Sequence, residues 1–137
     1  MERDAGVVAT MLDFYDRVTA SDVASFDRLV STDPATLVIG TAPGEWVTER
    51  DRLRYGFETE GFAIEAGPSP AGYASGDLGW FVDEPVYRFP DGSGIRTRAT
   101  AVLQARDGAW QIVHMHVSVG VPDEDVIELQ AQWGTAP

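Results

Sequence analysis

Two different periods of apolar residues divide the chain. Near the N-terminus, apolar residues recur every three or four positions, which is the period of a helix that packs one face against a core. This period predicts one helix, then a second that begins at Ser21 or Asp22, either of which can cap it, and stops at Asp33 and Pro34. The apolar positions are Val8, Met11, Leu12, Tyr15 and Val18, and then Val23, Phe26, Leu29 and Val30. Because the connection is so short, we expect a helical hairpin.

The remainder of the chain is rich in strand signals. An apolar, β-branched segment at 36–40 predicts a first strand, and Thr48 predicts the start of a third helix that ends at Gly61. From there the period changes to two, which predicts strands at 62–66, 78–89, 95–106 and 109–119, with Pro85 marking a bulge or an edge. Such serial strands predict an antiparallel meander. Asp123 can cap a terminal helix that carries Val126, Leu129 and Trp133 on one side.

Helices followed by strands predict an α+β fold class, with N-terminal helices packed on an antiparallel sheet. The chain has 137 residues, of which 44% are hydrophobic. This is enough for one core, whereas two cores of half the size would each be marginal. We therefore expect a single domain that spans residues 1–137.

Composition excludes several classes of function. The chain has no cysteine, which removes disulfide frameworks and thiolate zinc sites. Its formal net charge of −12 repels phosphate backbones, so we expect no nucleic acid partner. No segment has the apolar length of a membrane span, and no motif for a nucleotide, flavin, haem or phosphate group is present. We expect a cytoplasmic protein that needs no cofactor and contacts no membrane.

The last predicted strand carries the strongest chemical signal, because it holds both histidines of the chain. Strict alternation places His114, His116 and Ser118 on one face, together with Trp110 and Ile112. The other face is apolar throughout: Val113, Met115, Val117 and Val119. The apolar face indicates core or a subunit contact, and the histidine face indicates a polar-lined cavity.

Three interpretations of the two histidines compete. Two imidazoles at this spacing can share a metal ion, but a tight site needs further ligands, and no cysteine or following carboxylate supplies them. We therefore predict no metal. The histidines can also be satisfied core or interface residues. A role in a pocket is the interpretation that we favour.

The stretch from Asp91 and Gly92 through Arg98 to the sequence Asp-Gly-Ala-Trp-Gln-Ile-Val-His-Met-His-Val-Ser at 107–118 resembles the SnoaL-like branch of the nuclear transport factor 2-like superfamily. The helical opening and Asp22 also fit. This resemblance implies a cone in which a long, curved sheet wraps around helices and leaves an apolar cavity open at one end. It also implies homodimers that pack through the sheet.

The family includes polyketide cyclases, ketosteroid isomerase, dehydratases and epoxide hydrolases, as well as non-catalytic association and transport domains. In dehydratase-like members a carboxylate near the end of the first helix pairs with a strand histidine. This chain has Thr19 and Ala20 at the matching place, so the usual dyad is absent unless Asp16 or Asp22 replaces it. Asp22 is better explained as a helix cap.

The resulting enzyme hypothesis is acid/base chemistry, of cyclase, isomerase or hydrolase type, on a small apolar carbonyl compound. His116 or His114 would be the base, since a neutral imidazole moves protons near neutral pH, and Arg98 would hold an enolate or carboxylate. The predicted pocket residues are Tyr15, Trp46, Trp80 and Ser118.

Whether Arg98 reaches the histidines depends on the turn before the last strand. A two-residue turn at Asp107 and Gly108 sets Arg98 opposite Val117, on the other face, whereas a three-residue turn with a glycine bulge sets it opposite His116. We favour the second, because the family pattern makes sense if both reach one cavity. A buried arginine otherwise needs a carboxylate, for which Asp83 or Glu84 is nearest.

The alternative function is a non-catalytic dimer that binds a ligand or a partner protein. In that case His114 and His116 are hydrogen-bonded inside or buried across the interface. An open cavity with convergent polar groups would favour a small organic ligand, and a filled interior would favour pure association.

Overall fold

The computed structural model describes residues 1–137, and its longest helix is α1 (Ala5–Thr19). The helix begins after Asp4, because the Asp4 carboxylate accepts a hydrogen bond of 2.8 Å from the Val7 amide and so caps the first turn. Its buried residues are Val7, Met11, Phe14, Tyr15 and Val18. Val8 and Leu12, which were also expected on the buried face, only flank the core.

The other N-terminal helices are shorter than predicted. The second predicted helix is a 3-10 turn at Val23–Ser25 followed by α2 (Phe26–Leu29), and the third is split into α3 (Arg50–Leu53) and α4 (Tyr55–Glu58). The terminal helix α5 (Asp123–Trp133) is present as expected, but Asp123 is its first residue and does not cap it, since Pro122 occupies the cap position.

Ten strands form two sheets. Their bounds are β1 Glu2–Arg3, β2 Leu37–Ile39, β3 Trp46–Val47, β4 Ala63–Glu65, β5 Ala71–Ser75, β6 Leu78–Asp83, β7 Val86–Arg88, β8 Gly94–Arg96, β9 Arg98–Arg106 and β10 Ala109–Ser118. Seven of them form a mixed sheet in the order β1-β5-β6-β9-β10-β2-β3, and a small sheet has the order β4-β7-β8. The α+β class is confirmed.

The expected antiparallel meander needs two corrections. First, β2 runs parallel to β10, so the first predicted strand joins the far side of the last one. Second, the long predicted strands at 78–89 and 95–106 each break near Pro85 and Thr97, and their outer halves form the small sheet. Two hydrogen bonds connect the breaks, since the Thr97 amide and hydroxyl both donate to the Pro85 carbonyl.

The turn between β9 and β10 has two residues, and a β-bulge follows it. Asp107 and Gly108 both have positive φ, +50° and +79°, as a type I′ turn requires. The pairing register then shifts between Ile112 and His114, so Val113 is an extra residue in β10. Side chains therefore change face at this point.

The hydrophobic core lies between α1 and the large sheet and is rich in aromatic rings. Phe57 contacts both Phe14 and Phe26 edge to face, with ring centroids 5.5 Å apart in each pair. The helix approaches β5 and β6 closely at two glycines. A Cβ atom on Gly72 or Gly79 would lie 2.8 or 2.7 Å from the Val7 side chain, so only glycine fits there.

Deleting Val113 should leave the protein folded. Val113 is the unpaired residue of the bulge, so its removal keeps the pairing of His114 with Val102 and keeps Met115 and Val117 on the inner face. We expect the free energy of unfolding, measured by urea denaturation followed by circular dichroism, to change by less than about 2 kcal/mol. Deleting Met115, a paired inward residue, is the comparison and should cost about 2–5 kcal/mol, because a buried apolar side chain is lost. A Val113 deletion as damaging as the Met115 deletion would contradict the bulge.

Candidate functional site

The structure contains an open cavity of about 770 Å³ between the small sheet, the helices and the inner face of the large sheet. Its walls are mainly apolar. One wall is formed by β10, through Ile112, Met115 and Val117. Another is a row across the small sheet, in which Tyr87 is paired with Ile64 on one side and Ile95 on the other. Phe14, Val18, Leu53 and Phe57 contribute the helical side.

Polar side chains are concentrated at the open end of this cavity. They belong mostly to the β2–β3 loop and to α3 and α4: Thr41, Glu45, Asp51, Arg52, Tyr55 and Thr59, with Tyr87 on β7. Most of them are exposed to solvent on their outer side. The cavity thus has an apolar interior and a polar rim, which is the usual build of a site for a small organic molecule.

Tyr87 is the polar side chain set furthest from water in this group. Its ring packs edge to face against Phe62, with centroids 5.3 Å apart. Burial raises the pKa of the Tyr87 phenol well above its ordinary value, and the negative charge of Glu45 raises it further. The phenol therefore stays protonated and can donate a hydrogen bond.

None of the seven site residues predicted from the sequence lines this cavity. Six of them lie together on the opposite, outer face of the large sheet: Trp46, Trp80, Arg98, His114, His116 and Ser118. The bulge at Val113 is the reason, since it places Met115 and Val117 inward and the histidines outward. The expectation that these residues share the cavity does not hold, and their catalytic roles stay predictions.

The side chains of the outer face form two rows that run across the strands. The first row runs Tyr73, Trp80, Val102, His114, Leu37. The second row runs Val82, Thr100, His116, Ile39, Trp46. Both rows mix aromatic or aliphatic side chains with an imidazole, and Trp80 stacks on Tyr73 at a centroid distance of 4.6 Å.

Arg98 is opposite Ser118 and on the same face as His116. The shared face agrees with the prediction, but the reason differs. The prediction of a three-residue turn was wrong, because the turn is the two-residue form. The bulge shifts the pairing by one residue in the other direction, which sets Arg98 opposite Ser118 and not opposite His116. Arg98 is exposed and forms no ion pair, while Asp83, a suggested partner, is buried and accepts from the Gly67 amide at 3.0 Å.

Tyr15 lies in the core and not at the cavity surface. It is 2% exposed, and its hydroxyl has no hydrogen-bond partner. Burial, followed by the nearby Asp83 carboxylate, raises the pKa of the Tyr15 phenol far above its ordinary value. One oxygen of Asp83 is likewise buried without a partner. The two side chains therefore place polar oxygen atoms without partners inside the hydrophobic core.

Asp22, a possible substitute for the missing helix-end carboxylate, is engaged by other side chains. Asp22 accepts hydrogen bonds from Ser25 at 2.8 Å and Arg17 at 3.3 Å. These contacts, with the Ser25 hydroxyl first, lower the pKa of Asp22. The Thr19 hydroxyl, at the position of the family acid, accepts from the Ile64 amide at 3.0 Å and so ties α1 to the small sheet.

No three side chains of the metal-binding types come together in one group. The helices are all too short or too polar to cross a lipid bilayer.

The curved mixed sheet wrapped around helices and the cavity at one end define a fold of the nuclear transport factor 2-like, or cystatin-like, type. The family model of the SnoaL-like domain matches residues 7–122, and the chain belongs to this family. The resemblance inferred from the sequence is confirmed. No curated protein matches the sequence.

Solved structures support the fold. A nuclear transport factor 2-like superfamily protein from Salmonella enterica is 15% identical, with a TM-score of 0.71 over 85% of this chain and 90% of its own. The association domain of CaMKII from C. elegans is 18% identical, with a TM-score of 0.66 over 82% of this chain and 92% of its own. A protein with a cystatin-like fold from Caulobacter vibrioides is 16% identical, with a TM-score of 0.68 over 91% and 96%.

The cavity residues Glu45 and Tyr87 were missed by the sequence analysis. Glu45 lies in a loop after the first predicted strand, and Tyr87 lies beyond the Pro85 break. Their approach requires the large and small sheets to meet, which a local pattern does not encode. The one available signal was that break in an otherwise continuous strand.

The hydrogen bond of His114 fixes its tautomer. Its Nδ1 atom lies 2.9 Å from the Leu37 carbonyl oxygen, which can only accept, so Nδ1 carries the proton. We expect nitrogen-15 chemical shifts of the neutral ring to show a protonated Nδ1 and an unprotonated Nε2. His116, which has no such bond, provides the comparison and should show a mixture of tautomers. An unprotonated Nδ1 in His114 would contradict the contact.

Proposed function

We propose that the chain binds a small, largely apolar organic molecule in the cavity behind β10. The observation that carries this proposal is the cavity itself, whose volume of about 770 Å³ lies within the range of small-molecule sites. We further propose that binding occurs in a single cytoplasmic domain that needs no cofactor.

The distribution of polar groups supports an apolar ligand body. Along β10, the cavity wall consists of side chains without a hydrogen-bonding group, apart from the methionine sulfur. A ligand there gains affinity from the apolar surface that it removes from water. Hydrogen bonding is concentrated at the rim, so it can orient one end of the ligand.

If the chain is an enzyme, we propose that it carries out acid/base chemistry on a carbonyl compound. The titratable side chains that line the cavity are carboxylates, phenols and one arginine, and no imidazole. Chemistry inside the cavity would therefore use Glu45 or Asp51 as a base. A role for His114 or His116 would place the chemistry at the outer face.

Filling the cavity should abolish binding. Val38 lines the cavity, and its neighbour Leu37 points to the outer face. We expect Val38→Trp to lower the affinity for an apolar fluorescent probe, 1-methylpyrene, at least about tenfold, at a stability cost of about 1–3 kcal/mol from overpacking. Fluorescence titration measures the affinity. Leu37→Trp is the matched control and should bind normally, and equal affinity in both variants would place the probe outside the cavity.

We also propose that the outer face of the large sheet forms a homodimer. The observation that favours this second function is a set of large apolar side chains exposed in the middle of a sheet. Trp80 and Val102 are adjacent in the first row and are each 37% exposed, and Trp46, which is 62% exposed, ends the second row. Exposed apolar patches of this kind are typical of interaction sites.

A second copy of the chain is the partner that we propose for this face. The sheet rows alternate apolar groups with the uncharged polar groups of Thr100 and Ser118 and with the two histidines, and Arg98 lies at the edge. A two-fold axis lets such a surface pair with itself without opposing the many carboxylates of the chain. Similarity to an association domain is consistent with this, since that domain has the same fold.

A charge on the outer face should break the dimer. We expect Val102→Glu to raise the dimer Kd at least about hundredfold, because two carboxylates would be desolvated next to each other. Analytical ultracentrifugation measures the Kd. Ile127→Glu is the control, since Ile127 is equally apolar and 70% exposed but lies on α5. A wild-type monomer, or a Val102→Glu dimer of unchanged Kd, would overturn the interface.

A further inference from the structure

Two polar side chains that face the cavity have hydrogen-bonding capacity that the chain does not use. The Tyr87 hydroxyl makes no hydrogen bond within the chain, although most of its side chain is removed from water. The Glu45 carboxylate accepts one hydrogen bond from a backbone amide but forms no ion pair, although the chain contains ten basic residues. Groups of this kind are available to a ligand.

The position of Glu45 is fixed by the loop that carries it. The Gly40 amide donates to the Glu45 carbonyl at 2.9 Å, and the Ala42 amide donates to the Glu45 carboxylate at 3.2 Å. The carboxylate lies directly over Gly40. Gly40 and Glu45 both line the cavity, so the carboxylate lies at the cavity surface.

Among the charged residues at the rim, only Glu45 lacks an oppositely charged partner. Asp51 is paired with Arg54 at 3.3 Å, and Arg52 is paired with Glu49 at 3.4 Å. The charges of these two rim residues are therefore largely compensated within the chain. Glu45 keeps an uncompensated negative charge at the opening of an apolar cavity, where a carboxylate on the ligand would be repelled.

Tyr87 complements Glu45 in hydrogen bonding. Both residues line the same cavity, and the Glu45 charge contributes to raising the pKa of the Tyr87 phenol after burial. A neutral phenol donates one hydrogen bond, and a carboxylate only accepts. A ligand group that contacts both must accept from one and donate to the other, which a hydroxyl group does and an ether, a methyl or a carboxylate does not.

We propose that Tyr87 and Glu45 form the recognition site for an uncharged hydroxyl group on an apolar ring compound. The ligand hydroxyl accepts a hydrogen bond from the Tyr87 phenol and donates one to the Glu45 carboxylate, while the rings occupy the apolar interior. The site selects against the corresponding carboxylic acid, whose anion faces the Glu45 charge. This inference rests on the proposed binding function and specifies its ligand class.

Four pyrene derivatives test the assignment by fluorescence titration at neutral pH. They are 1-hydroxypyrene, 1-methoxypyrene, 1-methylpyrene and pyrene-1-carboxylic acid. We expect the wild-type protein to bind hydroxypyrene roughly three- to tenfold more tightly than methylpyrene, the range that a satisfied hydrogen bond supplies. Methoxypyrene, which cannot donate to Glu45, should lose most of that gain, and the carboxylate should bind at least about tenfold more weakly than methylpyrene.

Two substitutions separate the roles of the two residues. Tyr87→Phe should abolish the preference for hydroxypyrene and leave the affinity for methylpyrene within about twofold. Glu45→Gln should improve carboxylate binding roughly tenfold, because the repelling charge is gone. Tyr73→Phe and Glu2→Gln are the matched controls. Tyr73 stacks on Trp80 at the outer face of the large sheet, and Glu2 lies on the edge strand β1 and forms no ion pair, so neither side chain lines the cavity. Neither control should change the selectivity, and thermal melting checks that all four variants fold.

The outcomes distinguish the two proposals. If methylpyrene fails to bind to the wild-type protein, the binding function is wrong and the hydroxyl site is wrong with it. If methylpyrene binds and Val38→Trp prevents it, the binding function holds. In that case, equal affinities for all four compounds, or a hydroxyl preference that survives Tyr87→Phe, would overturn the hydroxyl site alone.

Discussion

The direction of the β10 side chains, which decides whether the histidines or the apolar residues face the cavity, depends on one unpaired residue. Before Val113, the strand points Ile112 inward, and after it the strand points Met115 and Val117 inward. If Val113 were paired like its neighbours, the last part of the strand would present its histidines to the cavity and its apolar residues to solvent. The inward residues Ile112, Met115 and Val117 do not follow strict alternation along the sequence. The bulge at Val113 nevertheless places them on one continuous apolar wall.

The same bulge explains which parts of the sequence could be interpreted correctly. The end of α1 near Thr19 and the helix that follows Pro122 depend on neighbouring residues, so local patterns predicted them. The family was recognisable for a similar reason, since its motif at 107–118 is continuous. The direction of each side chain in β10 could not be predicted from the sequence, because strict alternation assumes that every residue is paired.

Other errors came from contacts between distant segments. Strand β5 consists mainly of small residues, among them Gly72, and small side chains carry little strand signal. Gly72 is nevertheless required, because Val7 of α1 lies directly against it. The parallel pairing of β2 with β10 joins residues about eighty positions apart. The position of Glu45 depends on that pairing, because the loop after β2 brings it to the cavity.

Desolvation explains why the polar groups of the cavity are found at its rim. A carboxylate in the apolar interior would need several hydrogen bonds or a cation, and the interior side chains of β10 and the helices provide neither. Glu45 remains exposed on one side and keeps its charge at little cost, while Tyr87 is uncharged and can be set deeper. The buried Tyr15 and Asp83 show the opposite case, in which polar atoms without partners cost stability. The fold therefore places the polar side chains that can contact a ligand at the opening of the cavity. The apolar interior then selects ligands by their shape.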